Sequence, residues 1–461
     1  MSTTPPLSEL VALAARLPAA APRYTSYPSV PFWRPEPDDA GYRAALAGLA
    51  ARPADPVALY VHLPFCLTRC AYCGCHAVVN RASAAPDRYL DHVAIELERV
   101  ASLGGRRQVA QMHWGGGTPN YLSDEQLRRL SRLIRGAFDL APDAEVSIEM
   151  DPRAAHPGQP GLLRELGFNR VSLGVQDLDP AVQDAIGRRQ SEEQTVRLLD
   201  ECRAARFASV NVDLVYGLPR QTPETLSRTI DRVIDLAPDR LALFGYAHVP
   251  NLRPNQRSID AATLPGPRER LAAFRDLVQR LAGAGYEWIG LDHFARPDDP
   301  LAAAAREGRL QRTFMGYTER AAPHLLAFGA SSIGWVDGRF VQNESALKPY
   351  GERLAAGALP VVRGLKLDRD DLLRGAVLEH LMCNLAVPWD LIRERFGLTV
   401  PEALPDEVAR LDALEDLGLI ELNPHGMRVA PAGRYFLRHV AMTFDRYLRS
   451  EIRPGTFSTA V

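Results

Sequence analysis

Short apolar runs alternate with amphipathic stretches between residues 57 and 247 of the chain. The runs are rich in Val, Leu and Ile, which is typical of strands buried in a parallel sheet. They predict six strands, at 57–63, 109–114, 145–150, 170–175, 210–216 and 241–246. Between them, apolar residues recur every three or four positions, which predicts helices at 87–103, 123–138 and 192–205.

Six strands that alternate with helices predict parallel βαβ units. Polar or cysteine residues follow each strand, and the carboxyl ends of parallel strands gather at one edge, where active sites form. The predicted fold class is therefore α/β, a partial (βα)6 barrel with its chemistry at the mouth. The residues at the strand ends are the cysteine loop (residues 66–75), Gly-Gly-Gly-Thr-Pro at 115–119, Glu149, Gln176, Asp213 and His248.

The pattern changes on both sides of this region. At the N-terminus a short helix is predicted at 10–17, within a closing segment that covers 1–50. The barrel and its extension cover 51–365. Residues 366–461 form a small, mostly helical module with a predicted helix at 405–417, a hairpin over 418–430 and a last helix at 432–448. Helix, hairpin and helix resemble a winged helix, but no basic recognition helix is present, which favours a packing or lid role.

Composition narrows the class of protein. The 461 residues carry 54 Lys and Arg against 56 Asp and Glu, so the basic excess of a nucleic-acid-binding protein is absent. No apolar run has the length of a membrane span, and no signal peptide is recognised. Six cysteines without an export signal indicate a reducing cytoplasm. Nothing in the sequence requires an assembly, so we expect a monomer.

Four of the cysteines lie in the cysteine loop, at Cys66, Cys70, Cys73 and Cys75. The first three have the spacing C-x3-C-x2-C, and three thiolates can hold three corners of a four-iron cluster while the fourth iron stays open to a small molecule. The alternatives are a closed cluster with Cys75 as fourth ligand, and a zinc site. We favour the open cluster, because thiolates spaced as C-x-C rarely reach separate irons and zinc sites use paired knuckles that this sequence lacks.

Other strand-end residues are candidates for ligand binding. The glycines of 115–119 let a ligand approach the backbone closely, although a tight turn is the better explanation of this loop taken alone. Glu149 is placed to accept hydrogen bonds from a ribose hydroxyl or an ammonium group, or is a surface carboxylate. Gln176 and Asp213 follow apolar strand residues and should point to the barrel mouth.

The cysteine spacing, with Tyr72 before the third cysteine and Gly-Gly-Thr-Pro at 116–119, resembles that of the radical S-adenosylmethionine (SAM) enzymes. More closely, the chain is similar from end to end to the oxygen-independent coproporphyrinogen III oxidase (dehydrogenase) family. Met315 departs from that family's pattern, in which Gln is common. The matching motifs include Pro-Arg-Tyr-Thr-Ser-Tyr-Pro at 22–28, His-Trp-Gly-Gly-Gly-Thr-Pro at 113–119, Asn-Val-Asp-Leu-Val-Tyr-Gly-Leu-Pro at 211–219 and Asp-His-Phe-Ala-Arg-Pro-Asp-Asp at 292–299.

The resemblance implies an oxidoreductase of haem biosynthesis. Such an enzyme converts two propionates of coproporphyrinogen III to vinyl groups without oxygen and gives protoporphyrinogen IX. A 5′-deoxyadenosyl radical, generated from SAM at a [4Fe–4S] cluster, removes the hydrogen, so no side chain is implied as a general base. An electron donor and an acceptor are also implied, but the sequence does not identify them.

The resemblance also implies a set of site residues. The cluster ligands would be Cys66, Cys70 and Cys73, with Cys75 a family marker and not a ligand. Two SAM molecules are implied, and the N-terminal segment would close over them. The first would contact Tyr60, Gly116, Glu149 and Ile333. The second would contact Tyr72, Gly117, Thr118, Gln176, Arg188, Asp213 and Ala247.

Two rival functions follow from the same cysteine loop. Haem-trafficking relatives of the family keep the three cysteines but lack Cys75 and the motif at 22–28, and this chain has both. The other rival is an electron carrier with a closed cluster, in which Cys75 would be an essential ligand.

Overall fold

The computed structural model describes residues 4–33, 39–79, 84–449 and 457. Among these residues, the central sheet has twelve strands, in the order β12-β11-β10-β9-β1-β2-β3-β4-β5-β6-β8-β7. The strands are β1 (Val57–Leu63), β2 (Gln108–Gly116), β3 (Asp139–Met150), β4 (Arg170–Gln176), β5 (Ser209–Tyr216), β6 (Arg240–Gly245), β7 (Glu287–Ile289), β8 (His293–Ala295), β9 (His324–Phe328), β10 (Ile333–Val336), β11 (Arg339–Asn343) and β12 (Val361–Lys366).

The six predicted strands are confirmed as β1 to β6, which lie side by side in chain order and run parallel. β3 begins earlier than predicted, because Asp139 and Leu140 already pair with the start of β2 although their exposure hides them in the sequence pattern. β6 ends at Gly245, one residue before the predicted end.

Helices cover the outer face of the sheet at the predicted positions. Apolar residues of each helix are buried against the strands, as the sequence periodicity requires. Ser123 and Ser191 begin two of them through capping boxes, in which the serine oxygen accepts a backbone N–H three residues on. The main helices are Ala85–Gly104, Asp124–Ala137, Gln159–Glu165, Pro180–Ala185, Glu192–Ala204, Pro223–Leu236 and Pro267–Gly283.

The inner face of the sheet surrounds one cavity of about 650 Å³. Strands β2 to β6 each contribute alternate residues to its wall, as expected for side chains that share one face of a strand. The sheet therefore curves around this space, which agrees with the predicted partial barrel. The inward residues include Gln111, His113, Ser147, Glu149, Ser172, Asn211, Asp213 and Arg240.

The sequence analysis missed six strands of the sheet. β9 runs parallel to β1 on the side opposite β2, and β10, β11 and β12 extend that edge in antiparallel fashion. β7 and β8 extend the other edge. All five residues of β9 are buried, but its sequence His-Leu-Leu-Ala-Phe contains none of the Val and Ile that separate a short buried strand from a helix segment.

Two helix predictions at the C-terminus are wrong. The stretch 405–417 is broken at Arg410 into Pro405–Ala409 and Leu411–Asp416, because the Arg410 N–H bonds back to Glu407 O in a tighter, three-residue step. The stretch 432–448 contains three short helices, and its start lies directly against the Leu419 carbonyl, where only a glycine fits. They are Gly433–Phe436, Leu437–Met442 and Arg446–Arg449.

The predicted hairpin is confirmed as Ile420–Asn423 and Gly426–Val429, and a third strand, Ala386–Pro388, joins it. A helix at Arg369–Asn384 precedes these strands. The N-terminal helix is Leu7–Ala14, so the predicted helix at 10–17 is shifted by one turn.

The two ends of the chain pack on each other. Leu10 and Tyr24 of the N-terminal segment share one apolar cluster with Leu437 and Val440 of the C-terminal module. The domain boundaries 1–50, 51–365 and 366–461 stay predictions. Among the residues that the structure describes, no helix is both long and apolar enough to cross a membrane.

Candidate active site

The cysteine loop leaves the carboxyl end of β1 and forms part of the cavity wall. Phe65–Cys66 pairs in parallel with Val78–Val79, which closes the loop at its base. All of its cysteines have free thiols and line the cavity. The predicted ligands Cys66, Cys70 and Cys73 are therefore brought together at the barrel mouth. Among the described residues, no three His, Cys, Asp or Glu side chains converge on the position of a single metal ion.

Two amide side chains hold the backbone of the cysteine loop. Asn255 Nδ2 lies 3.2 Å from Cys70 O, 2.9 Å from Ala71 O and 3.0 Å from Cys73 O. Gln256 Nε2 donates to Tyr72 O and to Ala247 O, each at 3.0 Å.

The sequence analysis missed Asn255 and Gln256. They lie in the helical turn Pro254–Ser258 after β6, at the same edge of the sheet as the other strand-end residues. Their position after the carboxyl end of a predicted strand is the feature from which the sequence analysis could have identified them.

Hydrogen-bond donors surround the thiol sulfurs. Thr118 Oγ1 donates to Cys66 Sγ at 3.3 Å, and the guanidinium groups of Arg153 and Arg188 lie 3.6 and 3.8 Å from Cys70 Sγ. Asp151 binds both arginines, at 2.7 and 2.9 Å. Cationic donors of this kind stabilise thiolates, which are the form that ligates iron. The donor set therefore fits a thiolate-bound iron–sulfur cluster.

A second group of residues lies at the end of β1 and β3. His62 Nε2 lies 2.9 Å from the His76 carbonyl and must donate to it, so Nδ1 accepts from Tyr60 OH at 3.0 Å. Burial lowers the pKa of His62 to about 4, which keeps the ring neutral. Burial alone raises the pKa of Glu149, but hydrogen bonds from His113 and from the Gly116 N–H (3.1 Å) hold it below its usual value. Glu149 is thus an ionised acceptor in the cavity.

A third group lies at the ends of β4 and β5. Gln176 has a positive φ of 69°, a strained conformation for a side-chain-bearing residue. Arg188 Nη2 donates to Gly174 O at 2.5 Å, and its Nε is buried without a partner among the described residues. Asp213 accepts from Ser172 Oγ at 2.8 Å and from Asn211 Nδ2 at 2.7 Å. Burial nevertheless raises the pKa of Asp213 to about 6.

The glycines of 115–119 are required by packing within the protein. A Cβ on Gly117 would lie 2.6 Å from Pro64 O, and one on Gly116 would meet the His62 ring at 2.6 Å. Gly117 N and Thr118 N donate to the Leu63 and Phe65 carbonyls. The loop is therefore held against the exit of β1, beside the cysteines.

Most of the predicted site residues share the cavity. Two do not line it: Tyr60 stacks on His113 behind the wall, at 5.9 Å between ring centroids, and Ile333 packs against the cluster of Trp33, Phe340 and Leu367. Met315, the departure from the family pattern, also lines the cavity. The predicted residues in the wall are Cys66, Cys70, Tyr72, Cys73, Gly116, Gly117, Thr118, Glu149, Gln176, Arg188, Asp213 and Ala247.

Two family models match the chain. The Radical SAM superfamily model matches residues 60–233, which include the cysteine loop and strands β1 to β5. The HemN C-terminal domain model matches residues 367–436. The class of protein is therefore a radical SAM protein with a HemN-type C-terminal module.

Curated relatives match nearly the whole chain. The oxygen-independent coproporphyrinogen III oxidase of Salmonella typhimurium is 41% identical over 451 residues, or 98% of each chain. The protein of that name from Synechocystis is 39% identical over 100% of each chain. The structure of coproporphyrinogen III oxidase (HemN) from Escherichia coli, described as a radical SAM enzyme, matches with a TM-score of 0.89 and 41% identity, over 92% of this chain and 97% of that one. The chain belongs to the oxygen-independent coproporphyrinogen III oxidase family. Membership in the radical SAM class implies a [4Fe–4S] cluster and SAM as cofactors.

Proposed function

We propose that this chain converts two propionates of coproporphyrinogen III to vinyl groups without oxygen and so forms protoporphyrinogen IX. The observation that carries the proposal is the near full-length match to enzymes of that name, which includes both the cysteine loop and the C-terminal module. The cavity supports it, because free thiols, carboxylates and arginines converge at one mouth.

Cys66, Cys70 and Cys73 hold the cluster in this proposal. Held by these thiolates, the cluster would supply the electron for cleavage of SAM and thus the means of removing hydrogen from a propionate. Thr118, Arg153 and Arg188 would offset the negative charge of the thiolates, since they already donate toward Cys66 Sγ and Cys70 Sγ. Asn255 and Gln256 keep the loop backbone in place while these bonds form.

Two SAM molecules occupy the cavity in this proposal. For the first, Glu149 would accept from the ammonium or a ribose hydroxyl, because its pKa stays low and its carboxylate is charged. Tyr60 and Ile333 do not line the cavity, and their contact with the first SAM stays part of the proposal. Gly116 completes the first site, and the second is formed by Tyr72, Gly117, Thr118, Gln176, Arg188, Asp213 and Ala247.

The protein's own part in the reaction is positioning and exclusion of water. The sheet curves around the cavity, and Arg23 of the N-terminal segment forms part of its wall. A reactive carbon radical needs shielding of this kind, because water and oxygen would otherwise compete for it. We also propose that the chain acts in the cytoplasm, since its free thiols must stay reduced. We propose that it acts there as a monomer.

The test is an anaerobic assay of the reconstituted protein with reductant, SAM and coproporphyrinogen III. We expect protoporphyrinogen IX, detected after oxidation as protoporphyrin by fluorescence and mass. A protein that retains its cluster and cleaves SAM but forms no vinyl product would contradict the proposal. Saturable haem binding without any decarboxylation would instead support the haem-trafficking alternative.

A further inference from the structure

Most arginines of the cavity wall are paired with a carboxylate. Arg23 is different, because it has no ion pair with any described residue. Arg69 and Arg253 also lack one; Arg69 is exposed, and Arg253 is partly exposed, as Arg23 is. Arg23 differs from Arg253 because a second guanidinium, that of Arg270, lies beside it. The ion pairs of the wall are Arg153–Asp151, Arg188–Asp151, Arg170–Glu145 and Arg240–Asp299.

A second guanidinium lies beside Arg23, at the end of β6. Arg23 Nη2 donates to Gly245 O at 2.8 Å, and a Cβ on the same glycine would lie 3.3 Å from Arg270 Nη2. Gly217, with a φ of +81°, makes the other side of this space, since a Cβ there would lie 2.8 Å from Arg270 Nη1. Two glycines thus leave room for the Arg270 side chain, which comes from the helix Pro267–Gly283.

Arg270 carries a largely buried charge without a counterion among the described residues. Its side chain makes no ion pair or hydrogen bond with these residues, its Nε is buried, and its guanidinium lies 5.9 Å from the centroid of the Tyr216 ring. Burial lowers the pKa of Arg270, and the nearby charge of Arg23 lowers it further. Buried cations are costly unless an anion compensates them. The charge of Arg23 contributes to the lowered pKa of Asp292, but the hydrogen bond of the Asp292 carboxylate is with His293 Nδ1, at 2.8 Å.

The backbone of the N-terminal segment places Arg23 at this point. Arg312 Nη1 donates to the carbonyls of Arg23 (2.9 Å) and Tyr24 (3.0 Å), and Arg438 donates to those of Ala21 and Pro22. The Nε and Nη1 atoms of Arg23 make no hydrogen bond with described residues, and the side chain lines the cavity. Arg23 is therefore held from its backbone while its donors stay available.

We propose that Arg23 and Arg270 together bind the carboxylate of one propionate of the tetrapyrrole substrate. The inference rests on the proposed function and adds the residues that recognise the substrate. Two guanidinium groups at one point match a carboxylate in geometry as well as in charge. The carboxylate of SAM has the same chemistry, so the experiment separates the two sources.

The probe is coproporphyrin III, the stable and fluorescent porphyrin that carries the same propionates. It is titrated into the full-length protein, and SAM affinity is measured in parallel. We expect R23Q and R270Q each to weaken porphyrin binding about tenfold to hundredfold, the effect of losing one charge-assisted hydrogen bond, with SAM affinity unchanged. R270K keeps the charge and should lose less. R268Q is the matched control, because Arg268 is an exposed residue of the same helix.

Three results would overturn the inference. They are unchanged porphyrin affinity in both variants, a loss confined to SAM, and an equal loss for coproporphyrin tetramethyl ester, which has no carboxylate. Thermal unfolding of the apoprotein tests whether R270Q is folded. Because the substitution removes an uncompensated buried charge, it should not lower the Tm. The proposed function fails separately, if the wild-type protein forms no vinyl product.

Discussion

The two sides of the cavity differ in whether their guanidinium groups are paired with a carboxylate. On the cysteine side, formed by the cysteine loop with Asp151, Arg153 and Arg188, one carboxylate binds both guanidinium groups. On the arginine side, Arg23 and Gly245 line the cavity and Arg270 lies against Gly245, and neither guanidinium has a carboxylate partner among the described residues.

This difference fits the groups that each side would hold. A cluster is a resident group, so donors and acceptors around it can be paired permanently by the protein. A substrate brings its own negative charge and leaves as product, so its side of the cavity gains by keeping cations uncompensated. Guanidinium groups already bound to a carboxylate fit a permanent ligand, and guanidinium groups without one fit a ligand that exchanges.

The largest expected effect separates the thiols of the cysteine side. Cys73→Ser should abolish cluster retention and activity, because it removes one of the proposed ligands. Cys75→Ser should keep the iron and sulfide content of the wild-type protein, because Cys75 is not a proposed ligand. Iron analysis and EPR of the reduced, anaerobically reconstituted proteins measure both. Loss of the cluster in Cys75→Ser would support the closed-cluster alternative.

The next effect concerns the support of the cysteine loop. Asn255→Asp replaces the amide that donates to the loop carbonyls with a carboxylate that repels them. We expect most of the bound iron to be lost after desalting, and a faster loss of the cluster in the remainder. Asn251→Asp is the control, since Asn251 is exposed in the same loop. Equal iron contents in the two variants would show that Asn255 does not support the cluster.

The sequence predicted the parts of this fold that depend on local pattern. Apolar runs identified β1 to β6, and the rule that parallel strands end at one edge brought Glu149, Gln176 and Asp213 to the same cavity. Cysteine spacing alone indicated an open cluster. β9 was missed because its five buried residues, His-Leu-Leu-Ala-Phe, include no β-branched residue, so this short run does not differ from a helix segment.

The arginine side could not be predicted from the sequence for a different reason. Its geometry needs Gly217 and Gly245 to leave space for Arg270, and these residues come from a loop, a strand end and a helix that are remote in sequence. Arg270 is one of many arginines, and no local pattern distinguishes it. Asn255 has the same difficulty, because a polar residue in a loop carries no periodic signal. Only the folded chain shows that the Arg270 side chain lacks a hydrogen-bond partner among the described residues, whereas Asn255 Nδ2 lies within hydrogen-bond distance of three carbonyls.

A third prediction concerns a variant in which the arginines of the cysteine side lose their carboxylate partner. Asp151→Asn leaves Arg153 and Arg188 buried without their carboxylate, so we expect the free energy of unfolding to fall by about 3–5 kcal/mol. Urea denaturation of the apoprotein measures the change. Asp143→Asn is the control, because the ion pair of Asp143 with Arg320 is exposed and should matter little. Similar small effects in both variants would mean that the pairing around Asp151 is not essential for stability.

The smallest expected effect concerns Asp213, a carboxyl group in the cavity that, unlike Asp151, has no guanidinium partner among the described residues. Burial raises its pKa to about 6, while hydrogen bonds from Ser172 and Asn211 and the charge of His293 oppose the shift and that of Glu149 adds to it. The unfolded chain has a pKa near 3.9. Because the folded pKa is the higher one, this contribution to stability is complete below about pH 4 and is lost as the pH rises through about 6. Asp213→Asn should remove that loss, so the variant should gain at most about 3 kcal/mol over wild type between pH 4 and 7. Urea denaturation at several pH values measures the gain, and a difference between the two proteins that does not change with pH would show that Asp213 is ionised like Asp151.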